Sequence, residues 1–230
     1  MKRILITVAA LTLAAGIMAA QTPQQPPAAQ QPQAAPAPKK QPQAKTKEEY
    51  DALQKLGDPS LTPDQRIVQA EEFLVKFPDS ELKAIVYRLE MQAYQQKNDF
   101  LNMKETGEKA LKEDPNDAVT LILLASAIPE RTRENDLDRD QKLAQAEDYA
   151  KRALVAVDKL EKPSPQMPDA DWEKVRNDAR AQSYAALGLV ALQRKQYQTA
   201  EEAFKKAVDM QSQKDPVVFW RLGLAYEFTK

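Results

Sequence analysis

The chain of 230 residues contains no cysteine and no histidine. Without cysteine it has no disulfide, no thiol nucleophile and no cysteine to carry a lipid. Without histidine it lacks the commonest general base and the commonest metal ligand. Ser60, Ser80, Ser126, Ser164, Ser183 and Ser212 therefore have no imidazole to activate them, and no Gly-x-Ser-x-Gly elbow is present. Glycine is scarce, at five residues, and no run alternates with the period of two that marks a strand. The 33 basic and 34 acidic side chains give a net charge of −1, or −3 once Lys2 and Arg3 are set aside. That leaves no basic footprint for nucleic acid, so no nucleic-acid partner is expected.

What is present begins with an export pattern. Lys2 and Arg3 precede an apolar stretch, Ile4 to Ala15, and Gly16 to Ala20 supply small residues. Residues 1–20 read as a secretory signal cleaved after Ala20. The rival reading is a retained anchor that would hold the chain at a membrane, although the 17-residue apolar run is short for a span. Either reading places the rest outside the cytoplasm, in a periplasm or cell envelope or secreted. Residues 21–45 are low in complexity: Gln, Pro and Ala fill 21 of the 25 positions. With no apolar face to offset ordering entropy, this segment reads as a disordered, semi-rigid spacer.

Residues 46–230 carry helical periodicity punctuated by proline. Thr46-Lys-Glu-Glu49 is a capping box, and Tyr50, Leu53 and Leu56 follow it on one face. Thr62-Pro63-Asp-Gln65 starts a second helix with Ile67, Ala70, Phe73, Leu74 and Phe77 inward. Tyr87, Met91 and Tyr94 line a third, and Phe100, Met103 and Ala110 a fourth. Leu121, Leu124, Ala125 and Ile128 form a fifth helix, closed by Pro129. Leu143, Ala146, Ala150 and Ala153 form the sixth, and Asp169 can cap a long seventh.

Between the fifth and sixth lies a charged insertion, residues 130–140. Asp136, Asp138, Asp140 and Glu147 have the spacing of acidic ligands in a calcium loop. Gln141 stands where the sharp turn demands glycine and Lys142 intrudes, so no metal is expected. Nothing proposes a cofactor.

The strongest signal is internal repetition. Tyr184-Ala-Ala-Leu187-Gly188-Leu189 recurs 35 residues later as Phe219-Trp-Arg-Leu222-Gly223-Leu224. Between the copies, Ala200, Ala203, Phe204 and Ala207 make a second apolar stripe at helical spacing. Small residues at Gly188 and Ala200 let helix axes approach, while Tyr184 and Phe204 fill the gaps. Such a pair cannot bury its face alone and must stack on neighbours.

Tyr184, Leu187, Gly188, Ala200, Phe204 and Ala207 match, in register, the pattern of the tetratricopeptide repeat, and the chain resembles that family. The phrase Ala110-Leu-Lys-Glu-Asp-Pro115-Asn-Asp117 is similar to the family's repeat closure. Gly107 stands where the family prefers an aromatic, and Met91 where it prefers glycine. The resemblance implies an all-α, right-handed superhelical stack of antiparallel helix pairs, an α-solenoid of about 3.5–4.5 repeats over residues 46–230.

It also implies a groove lined by the first helix of each pair. That face would present Arg88, Gln92, Gln95 and Gln96, then Ile122 and Ser126, then Gln182, Ala185, Leu189 and Gln193, and finally Trp220 and Leu224. Leu189 and Leu224 also read as contacts to the next repeat. The mixture of amides and apolar groups suits a peptide or helix. The carboxylate clamp of the family's chaperone-binding members is incomplete here, with only Arg88 and Gln92 in place, so that activity is not implied.

The function expected is a non-enzymatic protein–protein interaction scaffold of the bacterial cell envelope. Two alternatives stand beside it. One is an envelope hydrolase or glycan-active enzyme using carboxylates such as Asp171 or Glu173. The other is homo-oligomerisation through the C-terminal helix, where Phe219, Trp220, Tyr226 and Phe228 are many apolar groups for a solvent-facing end.

Overall fold

A computed structural model describes residues 42–230. The signal at 1–20 and the spacer up to residue 41 lie outside the described residues. Among the described residues there are nine α-helices and no strand. They are α1 (Lys47–Leu56), α2 (Pro63–Lys76), α3 (Lys83–Gln96), α4 (Phe100–Glu113), α5 (Ala118–Arg131), α6 (Arg139–Asp158), α7 (Asp169–Gln193), α8 (Tyr197–Met210) and α9 (Pro216–Thr229). None of them is long and apolar enough to cross a membrane.

The start signals work as their chemistry dictates, with two exceptions. Thr62 accepts the Gln65 N–H while Gln65 returns its side chain to the Thr62 N–H, a complete capping box. Asp99, Asp117 and Asp215 cap α4, α5 and α9 with their carboxylates. At α1 only half the expected box forms. Thr46 accepts the Glu49 N–H at 3.1 Å, but the Glu49 carboxylate reaches Lys45 N–H at 2.6 Å and the Ser80 hydroxyl. Glu49 is thereby a buried strut between α1 and the start of α3, 2 % exposed. Asp169 is the first residue of α7 rather than its cap; its carboxylate holds Lys162 at 2.5 Å.

The fold also begins earlier than the spacer's expected end. Gln43 N–H bonds Glu81, Lys45 Nζ bonds the Asp79 carbonyl, and Ala44 packs on the core of α1 to α3.

Each helix packs on the next in the chain, and α1 touches α3, α5 touches α7, and α7 touches α9. The turns within α3–α4 and α7–α8 are built alike. Asn98 and Lys195 both sit in the left-handed region, at φ 59° and 60°. In each, the next N–H returns to the helix carbonyl five residues back: Asp99 to Tyr94 and Gln196 to Ala191, both at 2.9 Å. Two turns 97 residues apart in the chain thus share one geometry.

Packing explains the two departures at Met91 and Gly107. A methyl group added at Gly107 would lie 2.6 Å from the Met91 sulfur. A methyl group added at Gly188 would lie 2.7 Å from the Phe204 ring. In α7–α8 the small member is on the first helix and the large one on the second. In α3–α4 the sizes are exchanged, so the pair fills the same role with its volume reversed.

The fifth helix corrects the expected boundary. Pro129 lies inside α5, which continues through Glu130 to Arg131. Proline has no N–H to return to the Ala125 carbonyl one turn back, so the last turn of α5 runs on with one helix bond fewer. Thr132 closes the helix, donating its N–H to Pro129 O and its hydroxyl to Ile128 O.

The charged insertion holds no acidic cage. Lys142 Nζ bridges Asp136 at 2.9 Å and Asp138 at 2.8 Å, and Arg194 and Lys151 both pair with Glu147 at 2.5 Å. The first of these contacts, from Lys142, holds the Asp136 carboxyl below its ordinary range.

Candidate functional site: a cleft between α5, α7 and α9

A cleft of about 550 Å³ opens where α5, α7 and α9 face one another. Its floor is apolar and shallow because α7 presents Ala181, Ala185 and Leu189 there, with Val218 from α9. Small side chains on α7 thus do two jobs. They let α9 approach, and they leave room above the floor.

The walls are polar. Ser126 and Glu130 come from α5, Asp178 and Gln182 from α7, and Arg221 from α9. Arg221 reaches Glu130 at 3.1 Å, tying α9 to α5 across 91 residues of sequence. Asp178 accepts the N–H and the hydroxyl of Ser212, both at 2.6 Å, and so pins the α8–α9 loop over the cleft.

In that loop Gln211 accepts the Asp215 N–H through its oxygen at 3.3 Å. Its Nε2 is buried and has no hydrogen-bond partner among the described residues. A buried donor without an acceptor is costly, on the order of 1–3 kcal/mol. The charged walls hold three carboxylates, Glu130, Asp178 and Asp215, against one guanidinium, Arg221. The cleft is therefore net acidic.

Four of the residues expected in the groove meet here: Ser126, Gln182, Ala185 and Leu189. Gln95 lies in a smaller depression of about 220 Å³, which shares Glu130 with the main cleft. Ile122 does not reach solvent; it is 6 % exposed and belongs to the central core. Arg88 is taken up by Asp117 at 2.5 Å, which makes it a brace for the α5 cap. Gln92 is half-buried and Gln96 exposed on α3, and neither lines the cleft.

Gln193 donates to the Pro129 carbonyl at 2.5 Å and faces a separate depression that also holds Leu224. Trp220, 64 % exposed, points away, because α9 turns Val218 and Arg221 inward instead. The carboxylates considered for hydrolysis lie elsewhere. Asp171 pairs with Lys174, and Glu173 with Arg176 and Arg180. Hydrogen bonding from Arg180 holds Glu173 below the usual carboxylate range, the opposite of what a general acid needs.

Glu130, Asp178, Gln211 and Arg221 are not legible in the sequence as site residues. Glu130 reads there as the start of the insertion, and the others meet only through contacts that span the fold. No protein-family model, no curated protein and no solved structure matches the chain.

Proposed function

We propose that this chain is an exported, non-enzymatic interaction scaffold of the tetratricopeptide type. In this reading its helix pairs form a right-handed superhelical stack, and the α5–α7–α9 cleft binds an extended segment of a partner protein. The observation that carries the reading is the cleft itself, an apolar floor of Ala181, Ala185 and Leu189 between polar, net acidic walls that include the Gln182 amide. Peptide backbone offers carbonyls and N–H groups in alternation, and glutamine amides match both. The alanines leave space for one or two side chains of the segment. The acidic walls favour a segment bearing lysine or arginine.

Export rests on the pattern in residues 1–20 and is tested by fractionating cells that express the full chain. The binding reading is tested by panning a displayed peptide library on the purified protein and measuring the winners by calorimetry. Ala185→Arg fills the cleft from a half-buried position without entering the core, so the selected peptides should lose at least tenfold in affinity. Gln182→Ala with Gln211→Ala should weaken them, while Arg88→Ala should leave them unchanged. Peptides that bind Ala185→Arg as well as wild type would end the reading.

A further inference from the structure

The main cleft and the smaller depression meet at one side chain, Glu130 of α5. Helical register explains how it serves both. Ser126 faces the main cleft, while Ala127 and Arg131 face the smaller depression. Glu130 follows Ser126 by four residues and Ala127 by three. It therefore projects between them, about 40° from the first and about 60° from the second around the helix axis. Glu130 stands on the ridge between two hollows, and together they make one groove that crosses α5.

The charges of this groove identify what it accepts. Along its whole length, Asp99, Glu130, Asp178 and Asp215 face two guanidiniums, Arg131 and Arg221. Asp178 has both oxygens engaged by Ser212, and Asp215 caps α9 through the Val217 N–H. Glu130 holds Arg221 through Oε1 alone, at 3.1 Å, and its Oε2 has no hydrogen-bond partner among the described residues. The Glu130 side chain is 51 % exposed, so a cation from solvent can reach Oε2 without displacing Arg221. Of the carboxylates in the main cleft, it alone also borders the second hollow.

The two hollows suit different side chains. On the α7 side the floor of Ala181, Ala185 and Leu189 is shallow. On the α3 side Phe100, Met103 and Ala127 offer an apolar patch beside Gln95. From Gln95 on α3 to Gln182 on α7 the groove crosses two helix spacings of about 8–10 Å or more each. An extended chain rises about 3.3 Å per residue, so on the order of six residues span it.

We propose that this groove binds an extended, cationic segment of a partner protein, with a lysine or arginine seated on Glu130 and an apolar side chain in the Phe100–Met103–Ala127 hollow. The proposal rests on the peptide-binding reading above and names the residue that sets its specificity.

The test selects dodecapeptides from a displayed random library on the wild-type protein and measures their synthetic forms by calorimetry. Glu130→Gln keeps an oxygen for Arg221 and removes only the charge. Gln95→Trp fills the second hollow from an exposed position and adds no charge. Circular dichroism checks the fold of each variant. One lysine or arginine of the peptide should dominate: replacing it by alanine should cost about tenfold on wild type and less than about twofold on Glu130→Gln. Gln95→Trp should weaken the same peptides about tenfold.

An alanine replacement that costs as much on Glu130→Gln as on wild type overturns the proposal. So do peptides with no such basic position, or peptides that Gln95→Trp leaves unchanged. If those peptides are still lost on Ala185→Arg, the cleft reading stands and only this extension of it falls. Peptides indifferent to Ala185→Arg end both, as does a library that yields no binder. Sedimentation of the wild type at the same concentrations completes the test. A self-association that Glu130→Gln removes would give the groove to a second copy, and overturns the proposal equally.

Discussion

Glu90 offers a sharp test of how this fold tolerates a buried charge. It lies on α3, 6 % exposed, with Glu71 of α2, Glu105 and Lys109 of α4 and Tyr94 of its own helix as ionisable neighbours. Burial, reinforced by Glu71, pushes its carboxyl up from 4.5 to about 7. The folded state therefore holds this proton more tightly than the unfolded chain. Below pH 4.5 both states are protonated and the site is neutral in its effect. Between 4.5 and about 7 only the unfolded chain ionises, so stability falls as pH rises. Above that window the loss is complete, at about 3 kcal/mol, since each tenfold gain in proton affinity corresponds to about 1.4 kcal/mol. Glu90→Gln keeps the shape and removes the ionisation. Urea unfolding of both proteins at pH 4.5 and pH 8 isolates the effect, because most other titrations cancel in the difference. The variant should match wild type at the lower pH and exceed it by about 3 kcal/mol at the higher. An equal difference at both values, or a variant weaker at pH 8, would refute the reasoning.

Four further outcomes follow from the geometry. Gly188→Ala should destabilise by about 1–2 kcal/mol net, because the Phe204 ring must yield, whereas Gly223→Ala should stabilise by up to about 1 kcal/mol through helix propensity alone; thermal unfolding of the two variants checks the opposite signs. Gly107→Phe alone should unfold the α3–α4 region, and adding Met91→Gly should recover part of the loss, read as a positive coupling in a double-mutant cycle. Ser80→Ala removes the hydroxyl bonded to buried Glu49 and should cost about 1–3 kcal/mol, measured by denaturant titration at neutral pH. Lys195→Gly relieves a left-handed residue and should gain about 1 kcal/mol in the same titration, since the ion pair it gives up, to Glu134, is exposed.

Helices are legible in this sequence because two local codes agree. Apolar residues at helical spacing mark the buried face, and prolines and capping residues mark the ends. The code fails where a residue acts through a distant partner. Pro129 reads as a stop, but α5 gives up the one bond to Ala125 and runs on to place Glu130 in the cleft. Glu49 reads as half of a local box, but Ser80, 31 residues away, claims its carboxylate. Register alone puts Ile122 on the groove, and the packing of the central core buries it instead. Within the cleft, Ser126, Gln182, Ala185 and Leu189 follow from helical register. Arg221 and Asp178 do not, because each is positioned by a bond to a different segment.

The two exchanged pairs sharpen what a repeat specifies. Met91 with Gly107, and Gly188 with Phe204, show that the fold requires a combined volume across the helix contact and not a residue type at either position. Gly223 repeats the small half on α9, and among the described residues no atom stands within 4 Å of where its side chain would begin. The same motif therefore meets opposite surroundings at its two copies: a methyl group at 188 runs into the Phe204 ring, and one at 223 runs into nothing. Gly188→Ala and Gly223→Ala differ in sign for that reason, although the residues on either side of the two glycines are alike.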